Sequence, residues 1–276
     1  MKTAAFLQFS YVWGQGHFRF TAPIRRFYAD NGWCVRKVRL DDNPDLGDAV
    51  ARADHVYIWN GSGAPGLRVA RYAAESGTRL FCVEHGHFPQ SKFIHVAEGG
   101  LFGRHPNRWV DWERELTQGE WEAFRKARAS LERWRNPSRE VLVPLQLPKD
   151  CTMRLFSNGY TNDYLVRGYF GRDKWIRHHP KSSFRHKWPN QVDNRPNLNE
   201  VLGTYERVTG INSTVLLEAA LMGLEVTNLG QSYLDWCHHD HDVAAAAVLS
   251  NQIPINATDL TPWMRPHRGL EQLTEV

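Results

Sequence analysis

Apolar positions along the chain gather in short runs separated by polar, Gly-containing turns. Residues 4–12 form an apolar, aromatic-rich run of strand length. A turn at Gly14-Gln15-Gly16 follows, and residues 23–29 then carry apolar positions at helical spacing. Residues 35–40 alternate like a strand and His55–Trp59 make another; residues 67–75 are helical in spacing and close at Gly77, and residues 80–83 are a further short strand. Strand and helix signals therefore succeed one another as βα units, which predicts a parallel sheet with helices on both faces. Ligands of such sheets sit beyond the carboxyl ends of the strands. The loops placed for function are then residues 13–17, 60–66 and 84–88, with Gly14, Gln15 and His17 as cleft candidates on the first.

Residues 111–135 differ in character, being charged, Trp-rich and helical in spacing, and they end at Asn136-Pro137-Ser138. A domain boundary is expected there, giving domains at 1–137 and 138–276. In the second, residues 141–147 and 175–177 read as strands, residues 213–222 as a helix closed by Gly223, and residues 225–229 as a strand ended by Gly230. The expected fold class is α/β with two Rossmann-like domains. Residues 182–199, polar and rich in Asn and Pro, read as a long loop, and no internal repeat is apparent.

Composition narrows the picture. With 276 residues, 42% hydrophobic and 23% charged, the chain can bury a sizeable core in one large domain or two smaller ones. No apolar run reaches bilayer length and the start, Met1-Lys2 followed by residues 3–9, lacks a cleavage pattern, so the expected location is the cytoplasm. Cys34, Cys82, Cys151 and Cys237 are scattered with no CxxC pair, which argues for neither disulfides nor a thiolate zinc site. The net charge of +4 is mild and suits an anionic ligand better than dedicated nucleic-acid binding. Arg25-Arg26, residues 125–135 and residues 174–187 concentrate Lys and Arg among Trp residues. Such clusters suit phosphates, acidic glycans or nucleic acid, or are solvated helix faces.

Four segments can carry chemistry. Residues 210–223 open with Asn212-Ser213-Thr214 and run into an apolar helix, so free amides and the helix dipole favour a phosphate at its start, or Asn212 or Ser213 simply caps a core helix. Glu218 on that helix can contact a donor ribose or face solvent. Trp175-Ile176-Arg177-His178-His179-Pro180-Lys181 feeds a strand into a His-Pro corner, where an imidazole with Arg177 and Lys181 can hold a diphosphate. Residues 141–150 deliver Gln146 and Asp150 at a strand end, where a carboxylate can attack an anomeric carbon or act as a base, or Asp150 is a turn residue. Glu84-His85-Gly86-His87 follows a strand, and Glu84 with an imidazole can act as general acid or base. Cys237-His238-His239-Asp240-His241-Asp242 invites a metal, but adjacent residues cannot all converge on one ion and a helical i,i+4 His pair is absent. No metal is expected.

In this order the segments resemble the capsular polysaccharide biosynthesis family, the bacterial Kdo transferases that use CMP-Kdo. The resemblance spans most of the chain after Leu80. It rests on Val83-Glu84-His85-Gly86-His87-Phe88 with Glu98-Gly99-Gly100, residues 141–146 with Asp150, His179-Pro180, Asn212-Ser213-Thr214 with Glu218-Ala219, and Gly230-Gln231-Ser232-Tyr233-Leu234-Asp235-Trp236. It implies a GT-B-like pair of Rossmann domains facing an interdomain cleft, with the acceptor on the N-terminal side and the nucleotide sugar on the C-terminal side. It further implies a CMP-linked donor as co-substrate with no cofactor, His179 and the Ser213-Thr214 helix start on the donor phosphate, Asp150 as nucleophile, Glu84 as acid or base, and net retention. Tyr233 joins the cleft candidates. The family's Lys-Pro-His-Pro-like corner is replaced here by Arg177-His178 before His179-Pro180. Two other readings keep parts of this picture. One makes the acceptor DNA, as in bacteriophage enzymes that glycosylate modified bases, on the strength of the Lys, Arg and Trp content. The other is a non-catalytic nucleotide- or glycan-binding module. The pattern fixes no oligomeric state.

Overall fold

The computed structural model describes residues 1–8, 21–41, 43–59, 61, 63–88, 92–98, 116–168, 173–182, 191–235 and 240–260. Gly14, Gln15, His17 and residues 236–239 lie outside them. The chain divides into two compact units, Met1–Arg108 with Asn251–Val276, and Trp109–Ser250.

In the first unit the elements are β1 (Thr3–Gln8), α1 (Ala22–Asp30), β2 (Cys34–Arg39), α2 (Leu46–Ala51), β3 (His55–Trp59), α3 (Gly63–Ser76), β4 (Arg79–His85) and β5 (Phe93–Glu98), joined by a returning strand, β10 (Ile253–Pro254). The sheet order is β2-β1-β3-β4-β5-β10. Strands β1 to β4 are parallel, as their alternation with helices predicts. β5 and β10 are antiparallel, which corrects the expectation of a wholly parallel sheet. The cause is the connection: residues 86–92 are too few for the crossover of a dozen or more residues that a parallel pairing needs.

Strand alternation sends Ala4, Phe6, Tyr57, Phe81 and Val83 to one face, against Ile24 and Tyr28 of α1 and Ile253 and Leu260 of the returning segment. Ala5, Leu7, Val56, Ile58 and Cys82 go to the other, against side chains of α2 and α3. With both faces covered, these strands read as continuous apolar runs, which is why they are legible in sequence. Across the register Phe6↔Tyr57↔Phe81 the rings stack with centroids 4.8 Å apart at each step.

This core holds polar groups as well. The Tyr28 hydroxyl lies 2.6 Å from His55 Nδ1 and 2.7 Å from the Tyr57 hydroxyl. Burial, with the charge of Arg79 adding to it, pushes the His55 imidazole down to about 4. Burial alone pushes His95 to about 4, and burial with the neighbouring His95 pushes His87 to about 3. In the unfolded chain these groups return to the ordinary 6.5, so below that pH the unfolded state takes up protons that the folded state refuses. The histidine contribution to stability should therefore be level above pH 6.5 and fall as pH drops from 6.5 toward 4. One such imidazole is worth up to about 3 kcal/mol over that window. Urea midpoints at stepped pH should show the fall, and His95→Gln should lessen its slope by one proton; an unchanged slope would remove His95 from the account.

The second unit contains α4 (Gln118–Glu132), β6 (Arg139–Pro144), α5 (Cys151–Phe156), α6 (Asn162–Arg167), β7 (Lys174–Arg177), α7 (Leu198–Gly203), β8 (Tyr205–Gly210), α8 (Thr214–Leu221), β9 (Glu225–Asn228), a 3-10 turn (Tyr233–Asp235) and α9 (His241–Asn251). Its four strands are parallel in the order β7-β6-β8-β9. Two features depart from a single cut after residue 137. Helix α4, opened by a Thr117/Glu120 capping box, belongs to this unit. Its Arg128 donates to the carbonyls of Ala220 and Leu221 at the end of α8 and pairs with Asp242 on α9 at 2.7 Å. The segment after α9 returns to the first unit, whose core Ile253 and Leu260 complete.

Several basic residues, Lys174 and Arg135 from the clusters marked in the sequence among them, are engaged internally. Lys174 Nζ donates to the carbonyls of Val166 and Gly168, each at 2.6 Å, closing α6. Arg135 donates to the Tyr205 carbonyl at 2.8 Å. Arg139 lies 3.5 Å from the Trp175 ring centroid and pairs with the Asp193 carboxylate, which Arg195 also holds. The long loop expected at 182–199 is thus partly sheet edge: Val192 bridges to Ile176, and the Asp193 network fastens the segment down. No described helix is long and apolar enough to cross a membrane.

Candidate active site

In the second sheet β6 is first in sequence, β7 lies on one side of it and β8 on the other. The connections therefore leave β6 and β8 in opposite directions, and the crevice beyond their carboxyl ends is where open α/β sheets bind ligands. The residues singled out by sequence on β6, β7 and β8 all sit at this edge. β6 ends at Pro144 rather than 147, because the Gln146 amide and carbonyl are both taken by the Asn162 side chain; residues 145–150 are loop.

Asp150 caps α5. Its Oδ1 accepts from the Thr152 amide at 2.9 Å and the Thr152 hydroxyl at 2.8 Å, which orients the carboxylate. Gln146 presents its backbone to Asn162: its amide donates to Asn162 Oδ1 at 3.0 Å and its carbonyl accepts from Asn162 Nδ2 at 2.7 Å.

Beyond β7 the two histidines differ. His178 is buried and tied to Asn194, whose Oδ1 accepts from the His178 amide. His179 is half-buried; its Nδ1 accepts from the Lys181 amide at 3.1 Å. That bond assigns the proton to Nε2, leaving a neutral donor on the far side of the ring. Burial lowers the His179 pKa, the Lys181 charge lowers it further, and the Asp150 charge opposes both. Pro180 and Lys181 are exposed. Arg177 is drawn away from ligand duty in part, since its Nη1 donates to the carbonyls of Asp193 and Arg195 at 3.2 and 2.9 Å.

Beyond β8, Ser213 caps α8 through Oγ, which accepts from the Val215 amide, and Thr214 is the first helical residue. Asn212 is buried, and its Nδ2 donates to the Thr152 carbonyl at 3.0 Å. Thr152 therefore joins the Asp150 loop to the head of α8, a link the sequence does not advertise because the two lie 60 residues apart. Capping does not by itself exclude anion binding, for a cap satisfies one of several free amides. Burial pushes the Glu218 carboxyl up to about 7, with Arg177 pulling the other way, so near neutral pH it can give or take a proton. Tyr233 is buried at 2% exposure among core side chains rather than lining an open edge.

In the first unit Glu84 and His85 stand at the carboxyl end of β4, both partly buried, with the His85 ring 5.0 Å from Trp59. Asp240 caps α9 and Asp242 pairs with Arg128, so both described carboxylates of the 237–242 cluster have structural partners. Among the described residues no group of three or more His, Cys, Asp or Glu is arranged to hold a metal.

No protein-family model and no curated protein sequence matches the chain. Solved structures do. KpsC from Thermosulfurimonas dismutans, as a beta Kdo 2,7 transferase, superposes with a TM-score of 0.62 at 14% identity, covering 90% of each chain. The same organism's KpsC as a beta Kdo 2,4 transferase gives 0.59 at 14% identity, covering 88% of this chain and 89% of the other. The chain has the fold of these Kdo transferases. It is a GT-B-like α/β protein, and at 14% identity the likeness speaks to fold alone.

Proposed function

We propose that the protein is a glycosyltransferase that takes a sugar from a CMP-linked donor, Kdo or a close analogue, and transfers it with net retention to a glycan acceptor. The observation that supports the reading is that Asp150, His179 and the Asn212-Ser213-Thr214 helix start follow the carboxyl ends of β6, β7 and β8, with Asn212 bonded to Thr152 beside Asp150. The fold shared with two Kdo transferases supports it.

The chemistry follows from the placement. His179 Nε2–H and the free amides opening α8 would bind the donor phosphate and stabilise the charge that develops on it as CMP leaves with the bonding electron pair. Asp150 Oδ2 would attack the anomeric carbon, forming a glycosyl-aspartate. An acceptor hydroxyl would then give up its proton and displace Asp150, and two inversions return the starting configuration; the family resemblance assigns that proton to Glu84. Lys181, Pro180 and Gln146 would border the donor, with Arg177 and Glu218 within electrostatic influence of one another behind it.

Calorimetry with CMP, UDP and GDP tests the donor half, with CMP expected to bind tightest. His179→Ala should weaken CMP by about 1.5 to 3 kcal/mol, roughly 10- to 150-fold in Kd, the worth of a hydrogen bond to a charged group. His178→Ala should instead lower stability and leave the affinity of the folded fraction intact. Equal CMP affinity in wild type and His179→Ala would return the corner to a structural role.

A further inference from the structure

The turn after β4 is held by a residue from the far end of the chain. Gln252, 3% exposed, directs its Oε1 at the amides of His87 and Phe88, which donate to it at 2.6 and 3.0 Å across 165 and 164 residues of sequence. The Gly86 amide is taken by the Phe93 carbonyl at 2.8 Å. Three successive amides thus point inward. Such a run makes a concavity for an anion, and here a neutral side-chain carbonyl occupies it. Residues 86–88 therefore have no amide to offer a phosphate, and the geometry leaves them the task of presenting Glu84 and His85. Space is as tight as the bonding: a Cβ on Gly86 would lie 2.4 Å from Phe93 Cβ and 2.9 Å from Gln252 Oε1.

Gln252 is itself fixed on its C-terminal side. Ile253 and Pro254 pair with Ile94 and Phe93, and the Ile255 amide donates to the Lys92 carbonyl at 3.0 Å. Its Nε2 finds no acceptor among the described residues, so the polar work of this buried amide is its carbonyl. An apolar side chain of the same size would fill the space and leave the His87 and Phe88 amides without their acceptor, which the turn would relieve by moving outward.

We propose that Gln252 is a positioning residue: its side-chain carbonyl pins the 86–88 turn and so fixes the carboxyl end of β4, where Glu84 meets the acceptor hydroxyl. This rests on the transferase reading above. It predicts a defect in turnover and not in donor binding, because the donor residues belong to the other unit.

The test uses the full chain as wild type, Gln252→Leu and Gln252→Glu, the last keeping an oxygen for both amides. Transfer from CMP-Kdo to a Kdo disaccharide glycoside, CMP affinity, and hydrogen exchange at residues 86–88 are measured together. Gln252→Leu should lose about 10²-fold in kcat, the scale of a small misplacement of a reacting group, while CMP Kd is unchanged and the 86–88 amides exchange faster. Gln252→Glu should keep kcat within about tenfold of wild type and protect the same amides. Wild-type kcat in Gln252→Leu overturns the proposal, as does equal loss in both variants with CMP binding retained. Should Gln252→Leu not fold, Gln252→Asn, one methylene short of reaching both amides, takes its place with the same outcomes. A wild type that binds no CMP and transfers nothing defeats the transferase reading instead, and slower exchange in wild type and Gln252→Glu than in Gln252→Leu still decides whether Gln252 pins the turn.

Discussion

Replacing Asp150 by Asn should lower sugar transfer by about 10⁴- to 10⁶-fold, the upper end being the loss on removing a nucleophile, and leave both the fold and CMP binding in place. The choice of Asn separates two roles. Asp150 caps α5 through Oδ1, and Asn caps helices as well as Asp does, so Asp150→Asn keeps the bonds to Thr152 while removing the attacking oxygen. Asp150→Ala loses both and should cost about 1 kcal/mol in stability on top of the same loss of transfer. If Asp150→Asn transfers at the wild-type rate and only Asp150→Ala is impaired, the carboxylate is a cap and nothing more. The CMP measurement matters as a control, since Thr152 also accepts from Asn212 at the head of α8, and a helix end that moved would weaken the nucleotide along with the chemistry.

The way these residues meet explains how far the sequence could be read. Buried parallel strands write themselves as apolar runs, so His55–Trp59 appears in the structure with the bounds read from sequence, and Gly77 and Gly223 close helices where expected, at φ of 71° and 78°. Strand-end residues inherit that clarity: once β6, β7 and β8 are placed, Asp150, His179 and Ser213 must share an edge. β8 itself is not apparent in Tyr-Glu-Arg-Val-Thr-Gly, because Arg207 reaches Glu140 on the neighbouring strand and a charge stands where an apolar residue is expected. Helices α5, α6 and α7 have six residues each, too few to show a period. Helix α9 carries Val and Ala on all sides because it is buried all round, so it has no polar stripe to reveal it. Gln252 lay beyond reach for another reason. A lone Gln has no motif, and its partners stand 165 residues away.

Gly230→Ala should be the most disruptive single methyl that can be added near the donor edge. A Cβ at Gly230 would lie 2.6 Å from the Phe156 carbonyl oxygen and 2.8 Å from both the oxygen and Cγ2 of Ile211. Two of these three neighbours are backbone, which has no rotamer to yield. The backbone is also bonded there: the Gly230 amide donates to Ile211 O and the Gln231 amide to Phe156 O, each at 2.7 Å, so the chain after β9 is drawn down onto the exits of α5 and β8. A methyl must break these bonds or shift Ile211, and with it Asn212 and Ser213. The expected cost is about 3 kcal/mol, the upper range for overpacking, or a fall in Tm on the order of 10 °C. CMP affinity should fall as well, since the head of α8 moves with Ile211. Gly119→Ala supplies the contrast, because nothing lies within 4 Å of a Cβ there and the site is in the first turn of α4. The same atom added at that position should stabilise by about 0.4 to 1 kcal/mol through loss of unfolded-chain freedom. Opposite signs from one chemical change tie the loss at Gly230 to close backbone approach, whereas two small effects of like sign would mean that the loop after β9 has room to spare and does not brace the donor edge.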